Sequence, residues 1–172
     1  MKKTILLVSI LFIGFDARTF AQQNESASLQ KVINAYLDVK NALTKDDGKN
    51  VLTSSKSFYE VIINLTTNKL AEVEQRVWME YRDKLSAHAE HMKSTDLLAK
   101  QREYFIKLSA DFYKMVKVLN SNEADLYYQY CPMANEGKGA YWVSEKQAIA
   151  NPYFGKMMMT CGSTKETIKA KQ

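Results

Sequence analysis

Apolar residues recur at helical spacing along the first two thirds of the chain and lose that period near Asn120. Leu29, Val32, Ile33, Tyr36, Leu37 and Leu43 make one stripe, and Asp46-Asp47-Gly48 interrupts it as a turn. Val51, Leu52, Ser55, Phe58, Tyr59, Ile62 and Ile63 make a second stripe. It fades at Thr66-Thr67-Asn68, where β-branched and amide side chains compete with helix. A third stripe runs through Leu70, Val73, Val77, Tyr81, Leu85, His88 and Met92, and Ser94 or Thr95 is the expected N-cap of the next helix. In the fourth, Leu98, Phe105, Phe112 and Leu119 fall seven apart, with Gln101, Leu108 and Met115 three positions after the first three. That is the seam of a helical bundle. Four helices of about 16 to 24 residues with short connections predict an all-α, antiparallel up-down four-helix bundle.

Past Asn120 the pattern changes. Tyr127–Tyr130 and Ala140–Val143 read as short extended pieces around Gly137-Lys138-Gly139. Ser144 reads as the N-cap of a single turn through Ile149, closed by Asn151-Pro152. Ser163 with Glu166 three positions later matches a capping box and predicts a short final helix fraying from Lys169 to Gln172. The segment Leu126–Gly162 holds both cysteines, both prolines and four of the eight methionines, crowding soft sulfur and turn formers together. It predicts an irregular C-terminal cap folded back on the bundle and held there by Tyr127, Tyr128, Tyr130, Tyr141, Trp142, Tyr153 and Phe154.

The N-terminus has a different character. Lys2 and Lys3 precede an apolar run from Ile5 to Phe15, and Thr19-Phe20-Ala21 has the small-residue form of a cleavage site. Residues 1–21 are therefore expected to be a signal peptide, and its apolar run is shorter than the roughly 20 residues of a stable anchor. The exported remainder, 22–172, divides into a bundle (22–120) and a cap (121–172) with no membrane anchor of its own. Losing Lys2, Lys3, Arg18 and Asp16 takes two off the formal charge of +5. What remains is too mild and too evenly spread to argue for a nucleic-acid partner. Export matters more for the cysteines, which pair by default in an oxidising compartment.

Two readings of the tail follow. Cys131-Pro132-Met133 sets a thiol two residues from a thioether, and Met157-Met158-Met159 leads into Cys161. Thiolate and thioether donors select Cu(I), so Cys131, Met133, Met158 and Cys161 make a candidate metal site; zinc suits thioether poorly. The alternative is a metal-free helical interaction module stapled by a Cys131–Cys161 disulfide. Such a bond closes a loop of about 30 residues and stabilises by roughly 3–4 kcal/mol, with the methionines filling gaps in the core. His88, His91 and Met92 form a second candidate metal cluster, because residues three and four apart share a helix face. Gly-x-Ser-x-Gly, Cys-x-x-Cys, His-Glu-x-x-His and glycine-rich phosphate loops are absent, and no enzyme is expected.

The tail resembles a known family through Tyr127-Tyr128-Gln129-Tyr130-Cys131-Pro132-Met133-Ala134, Ala140-Tyr141-Trp142-Val143-Ser144, Ile149, Asn151-Pro152-Tyr153-Phe154-Gly155, Met158 and Cys161-Gly162. Gln101-Arg102, Phe105 and Leu108-Ser109 add to it. This is the exported bacterial domain-of-unknown-function family numbered 3347, and the resemblance runs roughly from Leu29 to Ile168. It implies a periplasmic domain found fused to, or near, the adaptor subunits of heavy-metal efflux pumps, with an efflux component as partner and copper or silver as cargo. Cys131-Pro132-Met133 is also similar to the Cys-Pro-Met-His motif of small heavy-metal-binding domains, although Ala134 stands where the histidine would be. Carried over residue by residue, the resemblance implies Cys131, Met133, Met158 and Cys161 as ligands. Met157 and Met159 flank the family's methionine position.

Overall fold

Each apolar stripe becomes a helix. The computed structural model describes residues 17–68 and 70–171, with α1 at Ala17–Thr44, α2 at Gly48–Ile63, α3 at Glu72–Lys93 and α4 at Leu98–Leu119. Most of the expected signal peptide, residues 1–16, lies outside the described residues, and 17–21 fall within α1. Asp47 caps α2 by accepting the Asn50 N–H at 3.0 Å. At the start of α4 the expected cap is displaced: Leu97 occupies the N-cap, Thr95 Oγ1 accepts its N–H at 3.2 Å, and Ser94 instead closes α3. Asn120 ends α4 in the left-handed conformation that asparagine tolerates.

Short links make consecutive helices antiparallel neighbours. The ends confirm the arrangement. Gln101 at the start of α4 donates to Gly48 O (2.8 Å) at the start of α2, and Glu123 just past α4 donates its N–H to Gln30 Oε1 (3.0 Å) in α1. Phe105, Leu108, Phe112, Met115 and Leu119 of the predicted seam are buried, as is Gln101. In α3 the buried residues are Trp78, Leu85, Ala89 and Met92, while Val73 is exposed.

The cap corrects the all-α expectation. Residues after Asn120 form a three-stranded antiparallel sheet, β1 (Leu126–Cys131), β2 (Ala140–Ser144) and β3 (Ser163–Ile168), in the order β2-β1-β3. Ser163 opens a strand rather than a helix. The sheet offers Tyr127 to Tyr130 a backbone ladder, and Ile168 buries itself opposite Leu126, outweighing a two-residue capping pattern. Ser144 is likewise the last residue of β2, opposite Tyr127, so no helical turn follows it. Between β2 and β3 the one helical piece is a 3-10 turn, Gly155–Met157.

The sheet docks along α4 and reaches α1. Tyr36 of α1 stacks on Phe112 of α4 with ring centroids 3.7 Å apart, its hydroxyl bonds Ser109 Oγ at 2.6 Å, and it accepts the Val143 N–H of β2 at 3.1 Å. Burial drives the pKa of this phenol upward. Beside it, Tyr128 of β1, the cross-strand partner of Val143, stacks on Tyr113 of α4 at 3.6 Å. Lys40 of α1, 1% exposed, donates to Glu145 (2.7 Å), just past β2.

A second clamp holds the loop between β2 and β3. Arg102 donates to Pro152 O at 2.9 Å and to Asp46 Oδ1 at 2.5 Å, and Asp46 Oδ2 accepts the Lys156 N–H at 2.9 Å. Gly155 passes so close that a Cβ there would enter the Asp46 carboxylate, and its φ of +54 is left-handed. Gly155→Ala should therefore cost about 1–3 kcal/mol in urea unfolding; a variant as stable as the parent would show that the loop is not pressed onto Asp46.

Burial pushes the Glu145 carboxyl up, but the Lys40 hydrogen bond and charge outweigh that and hold it below the ordinary 4.5. Its contribution is complete above that value and is lost as pH falls through the lowered one. Glu145→Gln should destabilise by about 2 kcal/mol at neutral pH, less than a fully enclosed pair because Glu145 is 29% exposed. It should also flatten the acid loss of melting temperature, and an equal acid slope in parent and variant would contradict the assignment.

Candidate functional site

β1 ends on Cys131, paired with Ala140 of β2, and the chain then turns through Asn135, Glu136, Gly137 and Gly139, all at positive φ. Tyr130 pairs with Ser163 on the other side, so Cys161, two residues before β3, arrives beside the end of β1. Strand register therefore brings together two cysteines 30 positions apart. Their sulfurs lie 2.6 Å from each other, inside non-bonded contact and beyond the roughly 2.05 Å of a disulfide bond. Cys131 has no exposed surface, whereas Cys161 is partly exposed. The Cys161 thiol is pushed up in pKa, first by its hydrogen bond to the Cys131 sulfur and then by burial, while the Met133 N–H acts in the opposite direction.

Both predicted methionines lie close to this pair along the chain, Met133 two residues after Cys131 and Met158 three before Cys161. The Met133 side chain is 55% exposed on a groove of about 400 Å³ shared with Arg102, Ile106, Glu136 and Phe154. Met158 O accepts the Cys161 N–H at 3.1 Å, and the Met158 side chain is half-buried. Met157 is 78% exposed, and the carbonyl of Met159 is engaged by Asn151.

The second predicted cluster is placed elsewhere. His88 Nε2 lies 3.3 Å from Asp111 Oδ2 of α4, the exposed His91 stacks on Tyr104 at 4.7 Å, and Met92 is buried in the bundle core. These residues serve the α3–α4 interface. Among the described residues no group of three or more His, Cys, Asp or Glu is arranged to hold a metal ion. None of the helices among those residues is long and apolar enough to cross a membrane.

In the sequence Asn151 marks only a turn. In the structure this fully buried amide holds the site loop together: its Oδ1 accepts the N–H groups of Tyr153 (2.8 Å) and Phe154 (3.2 Å), and its Nδ2 donates to Cys161 O at 2.8 Å. The signal was present in the habit of asparagine to bond its own backbone two residues on, ahead of a proline. Asp46 and Arg102, which anchor the same loop, carried no such local signal.

A family model described as a protein of unknown function (DUF3347) matches residues 32–124. The chain belongs to the DUF3347 family. The match begins within α1, at Val32, runs to just past α4 and stops short of Cys131, so the tail motifs that suggested the family lie beyond it. No curated protein and no solved structure matches this DUF3347 chain.

Proposed function

We propose that this DUF3347 domain takes up a soft metal ion, with Cu(I) the ion its donors suit, on the Cys131–Cys161 thiol pair, with Met133 and Met158 as thioether donors. The observation that carries the reading is the meeting of the two thiols, with the Met158 carbonyl accepting the Cys161 N–H and Met133 two residues beyond Cys131. A donor set of sulfur alone favours Cu(I) over hard cations. Loading releases the thiol protons. The partly exposed Cys161 and the exposed Met133 form the side by which an ion enters, and Cys131 the buried side that retains it. Delivery proceeds by exchange of one sulfur donor for another, with no change in the ion's oxidation state. In this reading the domain is exported to the periplasm, is not an enzyme, and hands its cargo to a heavy-metal efflux component.

The contact between the sulfurs and the complete burial of Cys131 favour a second reading, a disulfide staple on a helical interaction module. The two share one pair of atoms. In an oxidising compartment the staple is the metal-free state of the same site.

A Cu(I) competition titration against a coloured chelator, run anaerobically on reduced protein, separates them. The soft-metal reading predicts one tightly held ion, lost in the Cys131→Ser/Cys161→Ser double variant. Met158→Leu should weaken it by more than tenfold, and His88→Ala should leave it unchanged. Absence of competition would leave the staple alone. Two titratable thiols in protein isolated without reductant would in turn count against the staple.

A further inference from the structure

We propose that Asn151 is the positioning residue of a reversible Cys131–Cys161 couple in which Cys161 is the entry thiol and Cys131 the resolving one. The inference rests on the thiol pairing used in the proposed function, but no metal enters it.

Asn151 has no exposed surface and is bonded on every side. Its backbone N–H donates to Met159 O at 2.8 Å, and Gly155 N–H donates to its carbonyl at 3.0 Å. Its side chain joins Tyr153, Phe154 and the Cys161 carbonyl. One residue thus ties together the start, middle and end of the loop 151–161. The loop is also fastened to the bundle at Pro152 and Lys156, through Arg102 and Asp46. Of these bonds, the Asn151 Nδ2 contact alone reaches Cys161, and it comes from a group that is itself immobilised. The next residue, Gly162, leaves no room for a side chain, because a Cβ there would meet the Trp142 ring and Tyr130 O. Such preorganisation raises the effective concentration of one thiol at the other, because the ordering cost is met in folding rather than in bond formation.

Exposure assigns the order of the steps. Cys161 is reachable from solvent and Cys131 is not. With a small disulfide such as oxidised glutathione, the Cys161 thiolate attacks one sulfur, forms a mixed disulfide and expels one glutathione thiolate. The Cys131 thiolate then attacks the Cys161 sulfur and expels the second. Two protein thiols become one disulfide, one glutathione disulfide becomes two thiols, and the two protons pass to the departing thiolates.

Equilibration of the metal-free protein in glutathione redox buffers, read by mass spectrometry, tests the assignment. Asn151→Ala should lower the effective concentration of the pair at least tenfold, equivalent to about 30 mV in the two-electron couple. Asn151→Asp keeps acceptor oxygens for Tyr153 and Phe154 but loses the donor to Cys161 O, so it should fall as far even where the fold is retained. In single variants under oxidised glutathione, the protein keeping only Cys161 should form its mixed disulfide at least tenfold faster than the one keeping only Cys131. An equilibrium in Asn151→Asp within twofold of the parent overturns the positioning role, and equal mixed-disulfide rates overturn the order. Neither result depends on copper, so this inference and the metal reading fail separately.

Discussion

A buried phenol oxygen must find partners, and the partners of Tyr36 come from two other parts of the chain. Its ring lies flat on Phe112, its hydroxyl meets Ser109 on the same helix, and it accepts a backbone N–H from β2. Leaving such a group unpaired costs on the order of 1–3 kcal/mol, whereas pairing it fixes a geometry. Because the β2 donor is a main-chain N–H in a paired strand, satisfying Tyr36 sets where the sheet sits on α1 and α4. The arrangement of the tail follows from that one placement.

From there the geometry propagates by register. With β2 fixed, β1 is fixed beside it, and β3 beside β1; the ends of β1 and β3 then deliver Cys131 and Cys161 to one point. The intervening loop cannot drift, because Arg102 and Asp46 grip it at Pro152 and Lys156 while Asn151 closes it on itself. The proposed site therefore lies on a support built from the bundle outward. The family match runs from within α1 to just past α4, and the candidate site is carried by the segment that packs against these helices.

The helices were legible because a 3.6-residue period survives even where single positions are misread. In α3 the stripe through Val73 and Val77 pointed slightly off the true face, which buries Trp78 and Ala89, yet the helix itself was not in doubt. The seam of α4 was read almost residue for residue. The sheet was only half legible. β1 and β2 showed as aromatic extended runs around a glycine turn, but β3, Ser163–Ile168, is an edge strand with a single buried residue, so its local pattern resembled a helix start. Long-range partners such as Lys40 with Glu145, or Asp46 with Arg102, leave no trace in local spacing. Residue type, the Cys131–Met133 and Met158–Cys161 spacings and the family resemblance single out the four candidate donors. That the thiols meet, while His88 turns to Asp111 and Met92 enters the core, depends on register and helix packing that no short window contains.

If the proposed site binds copper through sulfur alone, X-ray absorption at the copper edge will show it on reduced protein loaded with one equivalent of Cu(I). The expected first shell holds sulfur scatterers only and is unchanged when His88 and His91 are replaced by alanine. A shell containing nitrogen or oxygen neighbours, or copper that leaves the protein on simple desalting, would contradict it.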